Sequence, residues 1–189
     1  MIKKVALRVS TLPAKAKALA GISAGLAALM LAGCANVSSV QPGTPVTQVI
    51  KQYGNPDINC PSRDGGKRMV WTQQPAGETA YALHVNKQGL VGAPQQILTE
   101  KSFSILSNGE VWTRERVHCE FGPPANITRD DWGDDHQWIW GYRYMRDGGD
   151  AEIMYVYLGN DGARVTKYRS LPDEVNNPDI GGGIALYSW

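Results

Sequence analysis

The segment from Asp130 to Tyr144 holds most of the side chains in this sequence that could do chemistry. Its first part is acidic and contains Asp130, Asp131, Asp134, Asp135 and His136. Carboxylate oxygens are ligands for hard cations such as Ca²⁺, but the spacing here does not fit the loop of an EF-hand. We therefore expect a solvated acidic loop and predict no metal site.

Aromatic side chains then follow at every second position, at Trp138, Trp140, Tyr142 and Tyr144. Side chains alternate across a strand, so these four rings share one face of a predicted strand, and Tyr155 and Tyr157 share a face of the next strand. Trp and Tyr are enriched where proteins bind each other, so these six residues form a predicted partner-binding surface. Two other roles stay open: the rings could stack on the sugars of an envelope glycan, or pack under helices as core.

No catalytic motif accompanies these residues. The sequence contains no Gly-x-Ser-x-Gly, P-loop or His-Glu-x-x-His pattern. His118 and Cys119 are neighbours in a predicted helix, where successive side chains point apart, so they do not form a nucleophilic dyad. We predict that the protein is not an enzyme.

The first 34 residues predict export and lipid attachment. Residues 1–33 carry five basic and no acidic side chains, and Ala18–Ala32 is an uncharged, mostly apolar run. Such a pattern is typical of a secretory signal, and the run is shorter than the roughly 20 residues that span a bilayer. The run ends in Leu31-Ala32-Gly33-Cys34, which resembles the lipobox of bacterial lipoproteins. The resemblance implies that Cys34 is acylated, and we expect no other attached group or cofactor. Because Ala35 follows the cysteine, the resemblance also implies an anchor in the outer membrane that faces the periplasm.

The net charge of +1 conceals a division along the chain. Residues 1–33 contribute +5, so the rest of the chain carries 14 basic and 18 acidic side chains, a net charge of −4. Residues 107–189 alone hold 8 basic and 14 acidic side chains. This acidic balance argues against nucleic acid or an anionic membrane surface as the partner.

Two cysteines remain, Cys60 and Cys119. The periplasm is oxidising, which favours a disulfide between them. The alternative is a pair of free thiols that act as small apolar groups.

A repeat organises the elements that must position these side chains. The pattern Val49-x-x-x-Tyr53-Gly54-x-Pro56 recurs 68 residues later as Val117-x-x-x-Phe121-Gly122-x-Pro124. Each copy predicts a helix that Gly and Pro end, followed by antiparallel strands with hairpin turns such as Asn160-Asp161-Gly162. The sequence therefore predicts an α+β fold in which two tandem helix-then-antiparallel-meander units pack as one compact body.

The predicted organisation has five parts: a signal peptide over 1–33, a lipidated tether over 34–42, a first unit over 43–98, a second unit over 99–171, and a Gly-, Pro- and Asn-rich tail over 172–189. A short helix is predicted around Glu100–Leu106. The strands are predicted at Arg68–Thr72, Tyr81–Val85, Gln137–Tyr144, Glu152–Leu158 and Ala163–Tyr168. Each unit is too short for a large core of its own, so we expect the two to share one.

A helix, a Gly-x-Pro stop, a Trp-containing strand and a hairpin behind a lipobox resemble the SmpA/OmlA (BamE-like) family of outer-membrane lipoproteins. The most similar segment runs from Leu98 to Pro124, where a short helix containing Phe103 precedes Gly109 and a second helix. The resemblance implies two helices against a three-stranded antiparallel sheet, here in tandem. Tandem units of this type also resemble β-lactamase-inhibitor-like domains, which bind proteins.

The resemblance implies an accessory role in outer-membrane β-barrel assembly or envelope integrity, with the barrel-assembly machinery as the expected protein partner. The alternative is a binder of envelope glycan or of a secreted enzyme, independent of barrel assembly. The sequence predicts no oligomeric state.

Overall fold

The computed structural model describes residues 36–130 and 136–174, which form a compact α+β body with two antiparallel sheets. The helices are α1 (Val46–Tyr53), α2 (Glu100–Phe103) and α3 (Arg114–Phe121). The first sheet contains β1 (Ile58–Pro61), β2 (Lys67–Thr72), β3 (Ala80–Val85) and β4 (Gln95–Gln96). The second contains β5 (Asn126–Arg129), β6 (Trp138–Met145), β7 (Ala151–Tyr157) and β8 (Lys167–Pro172). Among the described residues, no helix has the length and apolar character needed to cross a membrane.

Each half of this body repeats one order of elements, in which a helix precedes four antiparallel strands that neighbour each other in sequence order. The helix α1 ends at Gly54, and the Trp71 indole of β2 donates to the Gly54 carbonyl at 3.1 Å. The helix α3 ends at Gly122, and the Tyr142 hydroxyl of β6 donates to the Gly122 carbonyl at 3.1 Å. The predicted α+β fold is confirmed, and each sheet has four strands where the family resemblance implies three.

The elements stack in four layers: α1, the first sheet, the layer of α2 and α3, and the second sheet. One face of the first sheet packs on α1 through an apolar cluster that contains Val49, Met69, Trp71, Leu83 and Val85. The opposite face shares a larger cluster with α2, α3 and the second sheet, which includes Val70, Ala82, Phe103, Phe121, Tyr142 and Val156. The two halves therefore share one core, as the short length of each predicts.

The last strand differs from its prediction. The sequence predicts a strand over Ala163–Tyr168, whereas β8 begins at Lys167. Residues 163–165 pair instead with the segment before α3: the Arg114 N–H donates to the Ala163 carbonyl at 2.9 Å, and the Val165 N–H donates to the Trp112 carbonyl at 2.8 Å. Because an extended segment can satisfy its backbone groups on any neighbour with a free edge, local sequence does not decide between the two pairings.

The short helix predicted around Glu100–Leu106 is found as α2, which continues into a 3₁₀ turn over Ser104–Ser107. The predicted signal peptide, Cys34 and most of the predicted tail, residues 175–189, lie outside the described residues.

A disulfide and an arginine link the first sheet to α3. Cys60 in β1 and Cys119 in α3 form a disulfide with a Cα–Cα distance of 5.9 Å, so the predicted pairing is confirmed. Arg68 in β2 donates to the carbonyls of Cys119 and Glu120 at 3.1 and 2.9 Å, and its guanidinium pairs with the Glu120 carboxylate at 2.9 Å. A cation at the C-terminal end of a helix is favourable because the last carbonyls have no partner within the helix.

A glutamine of the first half also completes the second sheet. Strand β5 pairs with β6 only as far as Gly141, which leaves one edge of β6 open at Arg143. The Gln74 side chain fills this position, because its amide N–H donates to the Arg143 carbonyl at 2.8 Å and its amide oxygen accepts from the Arg143 N–H at 3.2 Å.

Replacing this amide should weaken the contact between the halves. We expect Gln74→Ala to lower the free energy of unfolding by about 1–3 kcal/mol, because two partly buried backbone groups of Arg143 lose their partner. Urea unfolding measures the change, with Gln88→Ala as a control at an exposed glutamine. Equal unfolding midpoints for the two variants would contradict the prediction.

Candidate binding surface

The structure divides the six predicted partner-binding aromatic residues between the core and the surface. Four of them are buried, namely Trp140, Tyr142, Tyr144 and Tyr157, and Tyr155 is half-buried. Trp138 is 37% exposed. The predicted role in partner contact is thus corrected for the four buried rings, which are core residues. Trp140, Tyr142 and Tyr144 are buried because the face of β6 on which they lie packs against α2 and α3.

The helical layer buries these rings through aromatic contacts. The Phe103 ring of α2 lies 4.8 Å from the Phe121 ring of α3, 6.1 Å from the Tyr142 ring and 5.3 Å from the Tyr144 ring, measured between centroids. Tilted and edge-on arrangements at such distances are the favourable ones for aromatic pairs. Most of the aromatic stretch is therefore core, which is one of the alternative roles that the sequence leaves open.

Trp138 lines a surface crevice with a volume of about 200 Å³ at the edge of the second sheet. The Trp138 crevice is formed by Arg114, Ile127, Trp138, Trp140, Leu158 and Gly162. Buried Trp140 and Leu158 supply an apolar floor, while Ile127, which is 55% exposed, and Trp138 stand at the rim. Ile127 lies opposite Trp140 in the β5–β6 pairing. The inner face of the second sheet is the face that packs against α2 and α3. The crevice is thus a part of this inner face that the two helices leave open.

Neighbouring backbone fixes the position of Trp138. Its N–H donates to the Gly159 carbonyl at 3.1 Å, and its carbonyl accepts from the Leu158 N–H at 2.8 Å. Gly162, in the turn after β7, has a φ of +67°, and a Cβ atom there would lie 2.9 Å from Cδ1 of the indole. Only glycine allows this turn to come so close to the ring, so the turn and the indole fit each other.

Arginines flank the crevice. The guanidinium carbon of Arg129 lies 5.4 Å from the centre of a Trp138 ring, within range of a cation–π interaction. Arg114 is exposed, and its Nε atom lies 3.5 Å from the Glu115 carboxylate. One turn further along α3, His118 contacts Trp140 edge-on at 5.9 Å, and burial lowers the pKa of this histidine, so its imidazole is neutral at pH 7. An exposed tryptophan beside arginines consists of residue types that are enriched in protein-binding surfaces.

A polar cluster at the other end of the inner face has a different character. The Tyr144 hydroxyl donates to the Glu152 carboxylate at 2.6 Å and lies 2.8 Å from the Ser170 hydroxyl, which also bonds Glu152. Burial opposes ionisation of Glu152, but hydrogen bonds from Ser170 and Tyr144 and the charge of Arg146 outweigh it, so the pKa of Glu152 falls below its ordinary value. A carboxylate with a lowered pKa is a weak general base, so this arrangement favours a structural role.

Alkaline titration should reveal this cluster. Burial first, and then the hydrogen bond to Glu152, raise the pKa of Tyr144 to about 12. An unfolded tyrosine has a pKa of about 10. Tyr144 therefore contributes stability that is complete below about pH 10 and is lost as the pH rises towards 12. We expect the tyrosinate absorbance of the native protein to show a late step that Tyr144→Phe removes. A variant with an unchanged titration curve would contradict this assignment.

A second cavity, of about 290 Å³, is lined by Leu106, Glu110, Trp112, Val165, Thr166, Lys167 and Tyr168. Trp112 is buried, and the Arg116 guanidinium lies 3.8 Å over its ring and pairs with Glu110. The face of Trp112 in this cavity is therefore covered by Arg116, and the half-buried Tyr168 is the other aromatic residue of the lining.

Sequence reasoning found Trp138 but missed Arg114, Ile127 and Gly162 as its neighbours. The turn at Gly162 was predicted as a hairpin turn, whereas no sequence prediction placed Ile127 on a strand beside β6. Within 36–130 and 136–174, no three His, Cys, Asp or Glu side chains are grouped so as to hold a metal ion. The acidic residues Asp131, Asp134 and Asp135 lie outside these ranges.

The described residues define an α+β protein in which two antiparallel sheets share a helical layer, with an apolar crevice at the edge of the second sheet. Comparison with models of known protein families and with curated proteins gives no match. Among solved structures, the chain is similar to the crystal structure of a DUF4309 family protein (YjgB) from Bacillus subtilis, with 15% identity and a TM-score of 0.24. The match covers 68% of this chain and 78% of that one. At this TM-score the similarity supports no inference about function.

Proposed function

We propose that this protein is a lipid-anchored, periplasm-facing protein-binding module, an accessory factor in outer-membrane β-barrel assembly or envelope integrity. The lipobox-like Leu31-Ala32-Gly33-Cys34 supports the anchor and the location. The Trp138 crevice is the single observation that supports protein binding. The choice of barrel assembly rests on the resemblance to the SmpA/OmlA family.

The exposure and the composition of the Trp138 crevice support protein binding. Ile127 and Trp138 are large apolar side chains that remain exposed although a core adjoins them. Binding energy in interfaces concentrates on Trp, Tyr and Arg residues in pockets from which water is excluded. The crevice offers a tryptophan and an arginine around a preformed hollow, so a partner side chain could bury there without rearranging the protein.

The glycan alternative has less support. A sugar-binding platform needs open aromatic faces, and four of the six predicted rings are buried. Trp138 and the half-buried Tyr155 remain, but the Arg129 guanidinium lies over the Trp138 indole. Capture of a secreted enzyme would use the same surface as capture of an assembly factor, so the identity of the bound protein distinguishes these two functions.

Affinity purification from detergent-solubilised membranes tests the proposal. Barrel-assembly components should be recovered with the full chain and lost with Trp138→Ala, whereas Leu90→Ala, at an exposed leucine of the first half, should retain them. Recovery of a secreted enzyme would support the inhibitor-like alternative. Retention on peptidoglycan that depends on Trp138 would instead favour the glycan binder. Absence of assembly components from the wild-type eluate would refute the leading assignment.

The anchor gives a separate prediction. We expect Cys34→Ser to move the protein from the membrane fraction to the soluble periplasmic fraction, because each buried CH₂ of an acyl chain contributes about 0.8 kcal/mol and several chains make anchoring effectively permanent. Cell fractionation measures the shift. The intact mass of the membrane form should correspond to a chain that begins at an acylated Cys34. An unmodified Cys34 or an uncleaved N-terminus would contradict the prediction.

A further inference from the structure

The chain is tied into the folded body within two residues of the predicted lipid-attachment cysteine. Val37 and Val40 are 4% and 6% exposed, and both belong to the apolar cluster that α1 forms with the first sheet. Asn36 caps a 3₁₀ turn, because its side-chain oxygen accepts from the Ser38 N–H at 3.0 Å. From Asn36 onward, the predicted tether over 34–42 is therefore part of the folded body.

Hydrogen bonds hold this segment beside α1. The Ser39 hydroxyl lies 3.1 Å from the hydroxyl of Tyr53, the last residue of α1. Closer to the start of α1, the Gly43 N–H donates to the Val91 carbonyl at 2.8 Å. Residues 36–43 and α1 together form the α1 layer. This layer packs on the face of the first sheet that points away from the second sheet.

The connection from the anchor to the α1 layer is too short to act as a spacer. Cys34 and Asn36 are two residues apart, and an extended chain advances at most about 3.6 Å per residue, so their Cα atoms lie within about 7 Å in any conformation. Acyl chains enter the hydrocarbon of the bilayer, which places an acylated cysteine at the headgroup layer. An acylated Cys34 would therefore hold the α1 layer at the lipid surface. The second sheet lies three layer spacings of about 10 Å further away.

The charge of the α1 layer is compatible with this position. Asn36–Pro56 contains no acidic residue and one basic residue, Lys51. The exposed side chains of α1 are Thr47, Gln48, Lys51 and Gln52. Residues 35–106 as a whole hold 6 basic and 4 acidic side chains, whereas residues 107–189 hold 8 and 14. Anionic headgroups attract cations and repel carboxylates, so the distribution of charge favours the same orientation as the short connection.

We infer that the α1 layer is the membrane-contacting surface of this protein, held against the phospholipid headgroups by its short connection to Cys34. The second sheet, with the Trp138 crevice, then points away from the membrane into the periplasm. This inference rests on the proposed acylation of Cys34 and adds to it the orientation of the folded body.

Photo-crosslinking in proteoliposomes tests this orientation. The photoreactive residue p-benzoylphenylalanine replaces either Gln48 on α1 or Arg169 on β8, and both positions are exposed. Each acylated protein, purified from membranes, is reconstituted into vesicles of phosphatidylethanolamine and phosphatidylglycerol. Mass spectrometry after irradiation should find at least about tenfold more phospholipid adduct at position 48 than at position 169, because only a side chain at the headgroup layer reaches a lipid. Circular dichroism checks that both variants fold.

A longer connection tests whether the short one holds the α1 layer in place. A Gly-Ser linker of about 12 residues, inserted between Ala35 and Asn36, lengthens the connection by about 20 Å on average. The linker variant should remain in the membrane fraction, because its anchor is unchanged. Its yield of lipid adduct at position 48 should fall at least about fivefold, because the body can then move away from the headgroups.

Two results would overturn the inference: equal adduct yields at positions 48 and 169, or an undiminished yield at position 48 in the linker variant. If either occurs while Cys34 is acylated and the protein is in the membrane fraction, the orientation is wrong and the proposed function stands. An unmodified Cys34 would instead refute the anchor itself, and this inference with it.

Discussion

Removing the Cys60–Cys119 disulfide by the double substitution Cys60→Ala and Cys119→Ala should lower the free energy of unfolding by about 4 kcal/mol. The two cysteines are 59 residues apart, and a cross-link that closes a loop of this length restricts the unfolded chain strongly. Guanidinium unfolding of the double variant and the oxidised wild type measures the difference. The reduced wild type should unfold with the double variant, because both lack the cross-link.

The fold itself should survive this change. The first sheet still packs on α3 through the shared core, and Arg68 still binds the C-terminal carbonyls of α3. We therefore expect a native circular dichroism spectrum and a lower midpoint, with a higher dependence of the unfolding free energy on denaturant because the uncross-linked chain exposes more surface. A reduced protein as stable as the oxidised one would show that the bond contributes nothing.

Local sequence could predict the elements of this fold because their ends carry local signals. Gly54 and Gly122 end α1 and α3 with a positive φ that other residues rarely adopt. Alternation of apolar residues predicted β6 and β7 nearly to the residue. The repeat of these signals was enough to predict two similar halves with one core.

The pairing of segments could not be predicted in the same way. Residues 163–165 pair with residues 112–114 and not with β7. The Gln74 side chain forms the backbone hydrogen bonds of Arg143 that a neighbouring strand would otherwise form. Both contacts depend on which backbone groups the tertiary structure leaves open. No pattern within a window of the sequence contains that information.

The candidate site shows the same limit. Trp138 and Trp140 lie two residues apart on one strand, yet one is exposed and the other is buried. Alternation predicts the face of each ring but not how far a covering helix extends along the strand. Only the position of the helical layer separates a core tryptophan from one that can contact a partner.

The helical layer also gives the second large prediction. Phe103 of α2 is fully buried and contacts the rings of Phe121, Tyr142 and Tyr144. Replacing a buried phenylalanine by alanine loses the burial of its ring and leaves a cavity, so we expect Phe103→Ala to lower the free energy of unfolding by about 3–5 kcal/mol. Phe103→Leu keeps most of the volume and should cost less. Urea unfolding of the two variants and the wild type measures both changes.

The distribution of this loss tests whether the two halves form one cooperative unit. Phe103 belongs to the core cluster that also holds Val70 and Ala82 of the first sheet and Val156 of the second. Because the cluster is shared, weakening it should destabilise both sheets together, although Phe103 lies in neither. Hydrogen exchange should therefore show an equal drop in the protection of β2–β3 and of β6–β7 in Phe103→Ala. A drop confined to β6–β7 would mean that the first sheet, held by α1 on its other face, folds independently of the second.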